Sequence, residues 1–201
     1  EGPIINSDSS PRKKIGPSLK QSDEILGNLQ SINCTHLSLA NNHIMDFGPE
    51  GLQSTLDKLT CYETFGAALN YRDAYSPSVF KEAGKNVALF SFGESQFGVI
   101  NSDFEGAGFA SITNPEARRQ VKEASEDNDF VIVQVHAGLE MCPLPLPEWR
   151  SIYKEFIHLG ADVVIGHHPH ILQGKESYLG KSIFYSIGNF FMDSMVGSEQ
   201  T

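Results

Sequence analysis

The sequence is poor in several things that whole classes of protein need. No apolar run comes near the roughly 18 residues a helix needs to cross a bilayer, so no membrane span is expected. No basic stretch followed by an apolar one opens the chain, so no signal peptide is read; the chain starts on Glu1 instead of Met, which reads as a fragment with its N-terminus removed. Positive charge is scarce. Fifteen Lys and Arg stand against 25 Asp and Glu, a net charge of −10, which is the wrong sign for gripping a phosphate backbone, so nucleic acid is not an expected partner. Cysteine is scarcer still: Cys34, Cys61 and Cys142 are odd in number and far apart, which excludes a disulfide framework and a CxxC thiolate site. They are expected as free, mostly buried thiols in a reducing compartment.

What is present suits one sizeable core. A length of 201 residues and a hydrophobic content of 40% argue for a single domain and against disorder. Prolines, Gly, Ser and the basic run Arg12-Lys13-Lys14 make residues 1–20 loop or extended coil. A helix is expected over 22–31, with Ser22 as N-cap, and a strand over 35–39. A second helix runs from Gly48-Pro49 through Leu59, with Leu52, Leu56 and Leu59 as its core face. Residues 64–75 read as a short strand and a loop. Residues 78–83 and 86–92 alternate around an Ala-Gly-Lys turn, a hairpin signature, and 95–113 read as a Gly-rich loop. Asn114-Pro115 opens a charged helix to about Glu126, Phe130 to Val135 is a buried strand, and a helix over 148–159 returns the chain to a strand at 162–165. Residues 171–178 and 182–187 form a last hairpin.

Chemistry-bearing residues gather where these strands stop, the edge at which α/β sheets place ligands. Val163-Val164-Ile165-Gly166 ends in His167-His168-Pro169-His170; in extended backbone His168 and His170 would face one point and His167 the other side. Neutral imidazole is a common metal ligand, so this pair suggests a metal site. The strand at 130–135 stops at His136-Ala137-Gly138-Leu139-Glu140, and strand 35–39 stops at Asn41-Asn42-His43. An Asn amide oxygen can ligate a cation, whereas an Asx turn capping the next helix is the structural alternative. Asp46 lies three residues past His43, within reach of its ring if a helical turn begins there. Strand 86–92 runs into Glu94, for which a surface carboxylate is the simpler reading. His36 and His158, inside regular elements, read as structural. Imidazole with amide or carboxylate oxygen, and no thiolate, suits Mn, Fe or Zn in a non-structural site.

Asn41-Asn42-His43-x-x-Asp46-x-Gly48-x-x-Gly51-Leu52, then His136-x-Gly138-x-Glu140, then Gly160-Ala161-Asp162-x-Val164-Ile165-Gly166-His167-His168-Pro169-His170, then Tyr185-Ser186-Ile187-Gly188-Asn189-Phe190, closely resemble the CapA-like (poly-γ-glutamate capsule) family of the calcineurin-like metallophosphoesterases. The resemblance runs over nearly the whole chain. It implies an α/β/β/α sandwich with mixed sheets and a pair of divalent metals at the strand ends. Asn42 and His136 resemble ligands of one metal, His168 and His170 are shared between both, and His43, supported by Asp46, resembles the general acid. Glu1, Asn41, Glu94, Glu140, His167 and Asn189 are further candidates. Glu1-Gly2-Pro3 resembles the tail of the family's Asn-Leu-Glu-Gly-Pro motif. The strand and Asp ligand that precede it in the family are not in this sequence, so the domain is expected to be N-terminally truncated and its metal site incomplete.

The function so implied is a two-metal hydrolase of phosphoester or related bonds acting on a small-molecule or polymer substrate during capsule synthesis, in company with the capsule-synthesis machinery. The alternatives are a non-catalytic accessory factor in polymer assembly or export, and an amide hydrolase on the same centre. Specificity is expected in loops 66–77, 95–113 and 139–147. The unpaired cysteines favour the cytoplasm, whereas many family members are anchored at the membrane and work outside the cell.

Overall fold

The structure is a computed structural model that describes residues 1–5, 9–96 and 106–190. Its organising element is a six-stranded sheet. In spatial order the strands are β4 (Ser78–Glu82), β5 (Lys85–Gly93), β7 (Phe130–His136), β8 (Val163–His167), β10 (Lys181–Phe184) and β9 (Lys175–Tyr178). The four central strands run parallel, and β4 and β9 close the edges as antiparallel hairpin partners. Ala83 and Gly84 in one hairpin turn, and Leu179 and Gly180 in the other, take the left-handed backbone that two-residue hairpin loops require.

Strand alternation divides the apolar residues between two layers. On one face, Phe90 and Phe92 of β5, Val131, Val133 and Val135 of β7, Val164 of β8 and Ile183 of β10 pack against two helices, α4 (Pro115–Asp127) and α5 (Pro147–His158). On the other face, Val87, Leu89, Phe130 and Ile132 meet Phe65. Phe65 ends β2 (Glu63–Phe65), which pairs in parallel with β1 (His36–Ser38). Beyond this small sheet, α1 (Glu24–Ser31) and α2 (Gly48–Lys58) contribute Ile25, Leu26, Leu52 and Leu56 to a core with Leu37, Leu39, Ile44 and Met45. Helices, sheet, sheet and helices follow one another, the α/β/β/α layering that the motifs imply.

Several expectations are corrected. The first helix begins at Glu24 with Asp23 at its cap position and no side-chain cap bond, whereas Ser22 offers its backbone carbonyl to the Ile25 N–H. Residues 64–75 hold not only β2 and β3 (Ala67–Ala68) but a short helix, α3 (Tyr71–Tyr75), capped by Asn70, whose Oδ1 accepts from the Asp73 N–H. Its Tyr75 is buried, with its hydroxyl on the Ser111 backbone, so tertiary packing supplies what five residues of helix propensity cannot. Within the expected loop 95–113, β6 (Gly108–Phe109) pairs with β3, and residues 97–105 of that loop lie outside the described residues. The thiols are free as expected but not buried: Cys61 is exposed, and Cys34 and Cys142 are partly so. No described helix is long and apolar enough to cross a membrane.

Gly166 admits no side chain. A Cβ there would lie 2.0 Å from the Tyr185 carbonyl oxygen and 2.8 Å from the Tyr153 hydroxyl. Gly166→Ala is therefore expected to destabilise the protein by about 3 kcal/mol or more, the upper end of overpacking effects. Chemical denaturation checks this; an unchanged midpoint would show that the segment at Tyr185 can yield.

Candidate metal centre

The parallel ladder sets the first distances of the site. His136, the last residue of β7, is paired with Gly93 of β5 on one side and His167 of β8 on the other. Its side chain projects toward the second layer, where its Nε2 lies 2.9 Å from Asn42 Oδ1 and 3.2 Å from His168 Nδ1. Glu1 Oε1 lies 3.8 Å from His136 Nε2 and 3.8 Å from His170 Nε2. On the outer side, ligand atoms of Glu140, His168 and His170 all fall within 4.8 Å of one another. His168 lies in both groupings, and His170, in the outer one, also reaches toward Glu1.

The donor set fits a cation better than it fits hydrogen bonding. An amide oxygen and one ring nitrogen converge on His136 Nε2, and one N–H there can serve only one of its two neighbours. A cation satisfies all three lone pairs at once. Burial first, and then the neighbouring imidazoles of His168 and His167, hold His136 well below the usual histidine range. Burial likewise lowers His168 and His167. These rings are thus neutral near pH 7, the form that binds metal.

Each loop residue has a separable task. Asn41 accepts from the His43 N–H at 3.0 Å, building the Asx turn, while its neighbour Asn42 carries its oxygen to His136. The Asx turn thus belongs to Asn41, which leaves the Asn42 oxygen free of that task. His43 Nδ1 meets Asp46 Oδ2 at 2.8 Å. Asp46 also accepts from the Leu19 N–H at 2.7 Å and pairs with Lys14, whose ammonium stands 3.2 Å from His43 Nδ1. Burial pushes the Asp46 carboxyl upward, but the bonds from His43, Lys14 and Leu19 outweigh it and hold Asp46 below its ordinary value. Asp46 touches none of the prospective ligands and stands behind His43. Glu94 braces the site without joining it: its Oε2 accepts from the Gly138 N–H at 3.1 Å and from Gln96 at 2.8 Å. Asn189 Oδ1 takes His170 Nδ1 at 2.8 Å.

The geometry of the histidine run differs from expectation. Strand β8 ends at His167, and His168 and His170 take left-handed backbone, with φ of 93° and 60°. They converge because the chain turns there, and not by strand alternation. His167, expected to face away, shares the face of its register partner His136. Its Nε2 is buried with no hydrogen-bond partner among the described residues. Of the two histidines read as structural, His36 packs on Phe80 and His158 bonds Tyr178. Lys14 was missed by the motif reading, since a lysine within a basic, proline-flanked run carries no local sign of burial.

A family model described as bacterial capsule synthesis protein PGA_cap matches residues 1–194. This chain belongs to that family. It is 33% identical over 187 residues to the PGA biosynthesis protein CapA of Bacillus subtilis, an alignment covering 87% of this chain and 47% of that protein. It is 29% identical over 201 residues to the capsule biosynthesis protein CapA of Bacillus anthracis, covering 96% and 49%. The chain thus spans about half the length of these relatives. Among solved structures, a phosphatase from Mycoplasma pneumoniae superposes with a TM-score of 0.52 at 14% identity, over 82% of this chain and 54% of that one, a likeness of fold. The fold of this PGA_cap chain is accordingly the metallophosphoesterase-like sandwich.

The buried Lys14–Asp46 pair yields a prediction. Lys14→Met leaves a buried carboxylate without its cation and is expected to destabilise by about 3–5 kcal/mol, and adding Asp46→Asn should restore much of that. Because the folded pKa of Asp46 is depressed, its stabilisation is present above the ordinary value of 3.8 and is lost as pH falls through the lower folded value. Asp46→Asn should therefore flatten the acid limb of stability, as measured by denaturation between neutral and acid pH. An unchanged acid limb would show that the pair contributes nothing.

Proposed function

We propose that this domain is the hydrolytic part of a capsule-polymer synthesis protein, holding two divalent ions of Mn, Fe or Zn and cleaving a phosphoester or related bond. The observation that carries the reading is the convergence of Asn42 Oδ1, His136 Nε2 and His168 Nδ1 on one point, with Glu1 reaching both His136 and His170. Asn42, His136, His168 and Glu1 would hold one ion, and His168, His170 and Glu140 the other. Such a pair, when bound, supplies an acidified water and a clamp on the oxygens of the transition state.

The chain's own residues do the rest. The carboxylate of Asp46 accepts the hydrogen bond of His43 Nδ1–H, so in the doubly protonated ring the Nε2 proton is the one free to pass to a leaving group, leaving a neutral imidazole. Lys14 keeps that carboxylate ionised. Glu94 fixes Gly138 and so the loop that carries Glu140. The family and its capsule-named relatives support a role in polymer synthesis alongside that machinery, and the phosphatase-like fold supports the phosphoester class.

Elemental analysis and turnover test this together. Full-length protein loaded with Mn²⁺ is expected to retain two equivalents and to hydrolyse a generic phosphodiester or phosphomonoester. His168→Ala, which removes the shared ligand, should lower turnover at least about 100-fold, beyond the loss typical of outer partners. Absence of both metal and turnover would favour a non-catalytic accessory role in assembly or export. Two bound ions with cleavage of amide bonds alone would move the centre to a different substrate class.

A further inference from the structure

The geometry points to Asn189 as the positioning residue that sets which nitrogen of His170 faces the centre, an inference that rests on the metal-pair reading above. His170 is held by neither strand pairing nor deep burial: it follows the end of β8 with a left-handed φ of 60°. Nothing regular about the backbone fixes its ring. The Asn189 amide oxygen lies 2.8 Å from His170 Nδ1, and an amide oxygen can only accept, so Nδ1 carries the proton. The lone pair is left on Nε2, the atom 3.8 Å from Glu1 Oε1. A neutral acceptor also adds no charge, which a carboxylate in the same place would.

Asn189 is itself placed by a laced segment. The Ile187 N–H bonds the Gly166 carbonyl at 3.1 Å, tying the segment to the end of β8. Ser186 Oγ donates to the Ile171 carbonyl at 2.7 Å and accepts from the Gly188 N–H at 3.3 Å. The Gln173 N–H bonds the Ser186 carbonyl at 3.1 Å, and Leu172 bridges Ile187. Gly188, with φ of 70°, then turns the chain so that Asn189 stands opposite His170. The run Ser186-Ile187-Gly188-Asn189 is thus a bracket built against the loop that bears His170.

Calorimetric titration of the metal-free full-length protein with Mn²⁺ tests the assignment. Asn189→Leu keeps the size and removes the acceptor; it is expected to weaken one of the two ions about 10–100-fold, the range typical of outer partners, and to leave the other near wild type. Asn189→Asp, which retains an acceptor, should restore the weakened site. The circular dichroism and thermal midpoint of the metal-free variants should match wild type, which separates positioning from general damage. Two ions bound by Asn189→Leu with wild-type affinity would overturn the assignment, as would equal weakening by Asn189→Asp. A wild-type chain that binds no ion would instead sink the metal-pair reading, and this inference with it.

Discussion

Parallel pairing of β5, β7 and β8 is the constraint on which the site depends. Strands that run the same way end on the same edge, and neighbours in a sheet are about 5 Å apart, so whatever follows each strand is brought together without further design. The register makes this specific, pairing Gly93 with His136 and His136 with His167. A one-residue slip of β7 would turn His136 toward the helices and put Gln134 into the helix-facing core in place of Val133 and Val135. The apolar alternation that fills the helix-facing core therefore also fixes which way His136 points.

The second layer contributes through a different device. Strand β1 ends at Ser38, and the chain must turn sharply to deliver Asn42 across to His136. Asn41 makes that turn with its side chain, and the following residues coil into α2 with Asp46 held beneath His43. The segment around Lys14 seals this turn from outside. Segments distant in sequence thus meet at this turn, which Asn41 holds by a bond to the His43 N–H of its own loop.

The long apolar strands, the Pro-capped helices and the strand-end motifs were all legible, because burial and capping write themselves into local periodicity. The gathering of Asn42, His136, His168 and His170 was legible for the same reason: polar clusters that interrupt β-branched runs stand out. What was illegible depends on contacts between distant segments. The α3 turn holds because Tyr75 finds Ser111, and the burial of Lys14 follows from Asp46, 32 positions along the chain. The alternation rule failed at His167 because it assumed that extended backbone continued past β8. Left-handed residues at His168 and His170 broke it, and although histidine adopts that conformation more readily than most residues, nothing in the sequence marks which histidine will.

Two opposite electrostatic environments lie side by side in this centre. At His136, His167 and His168, burial disfavours protonation, reinforced at His136 by its neighbouring imidazoles, so the rings present lone pairs. One loop away, Lys14 and the N–H of Leu19 stabilise charge on Asp46, so a carboxylate stays ionised where burial alone would neutralise it. Either environment alone has an ordinary structural explanation. Together they separate groups suited to binding a cation from a group suited to handling a proton. Exchanging the two would defeat both, since protonated imidazoles repel a cation and a neutral Asp46 could not hold the proton of His43. The segregation follows from which side chains are packed away from water and which are given a partner there.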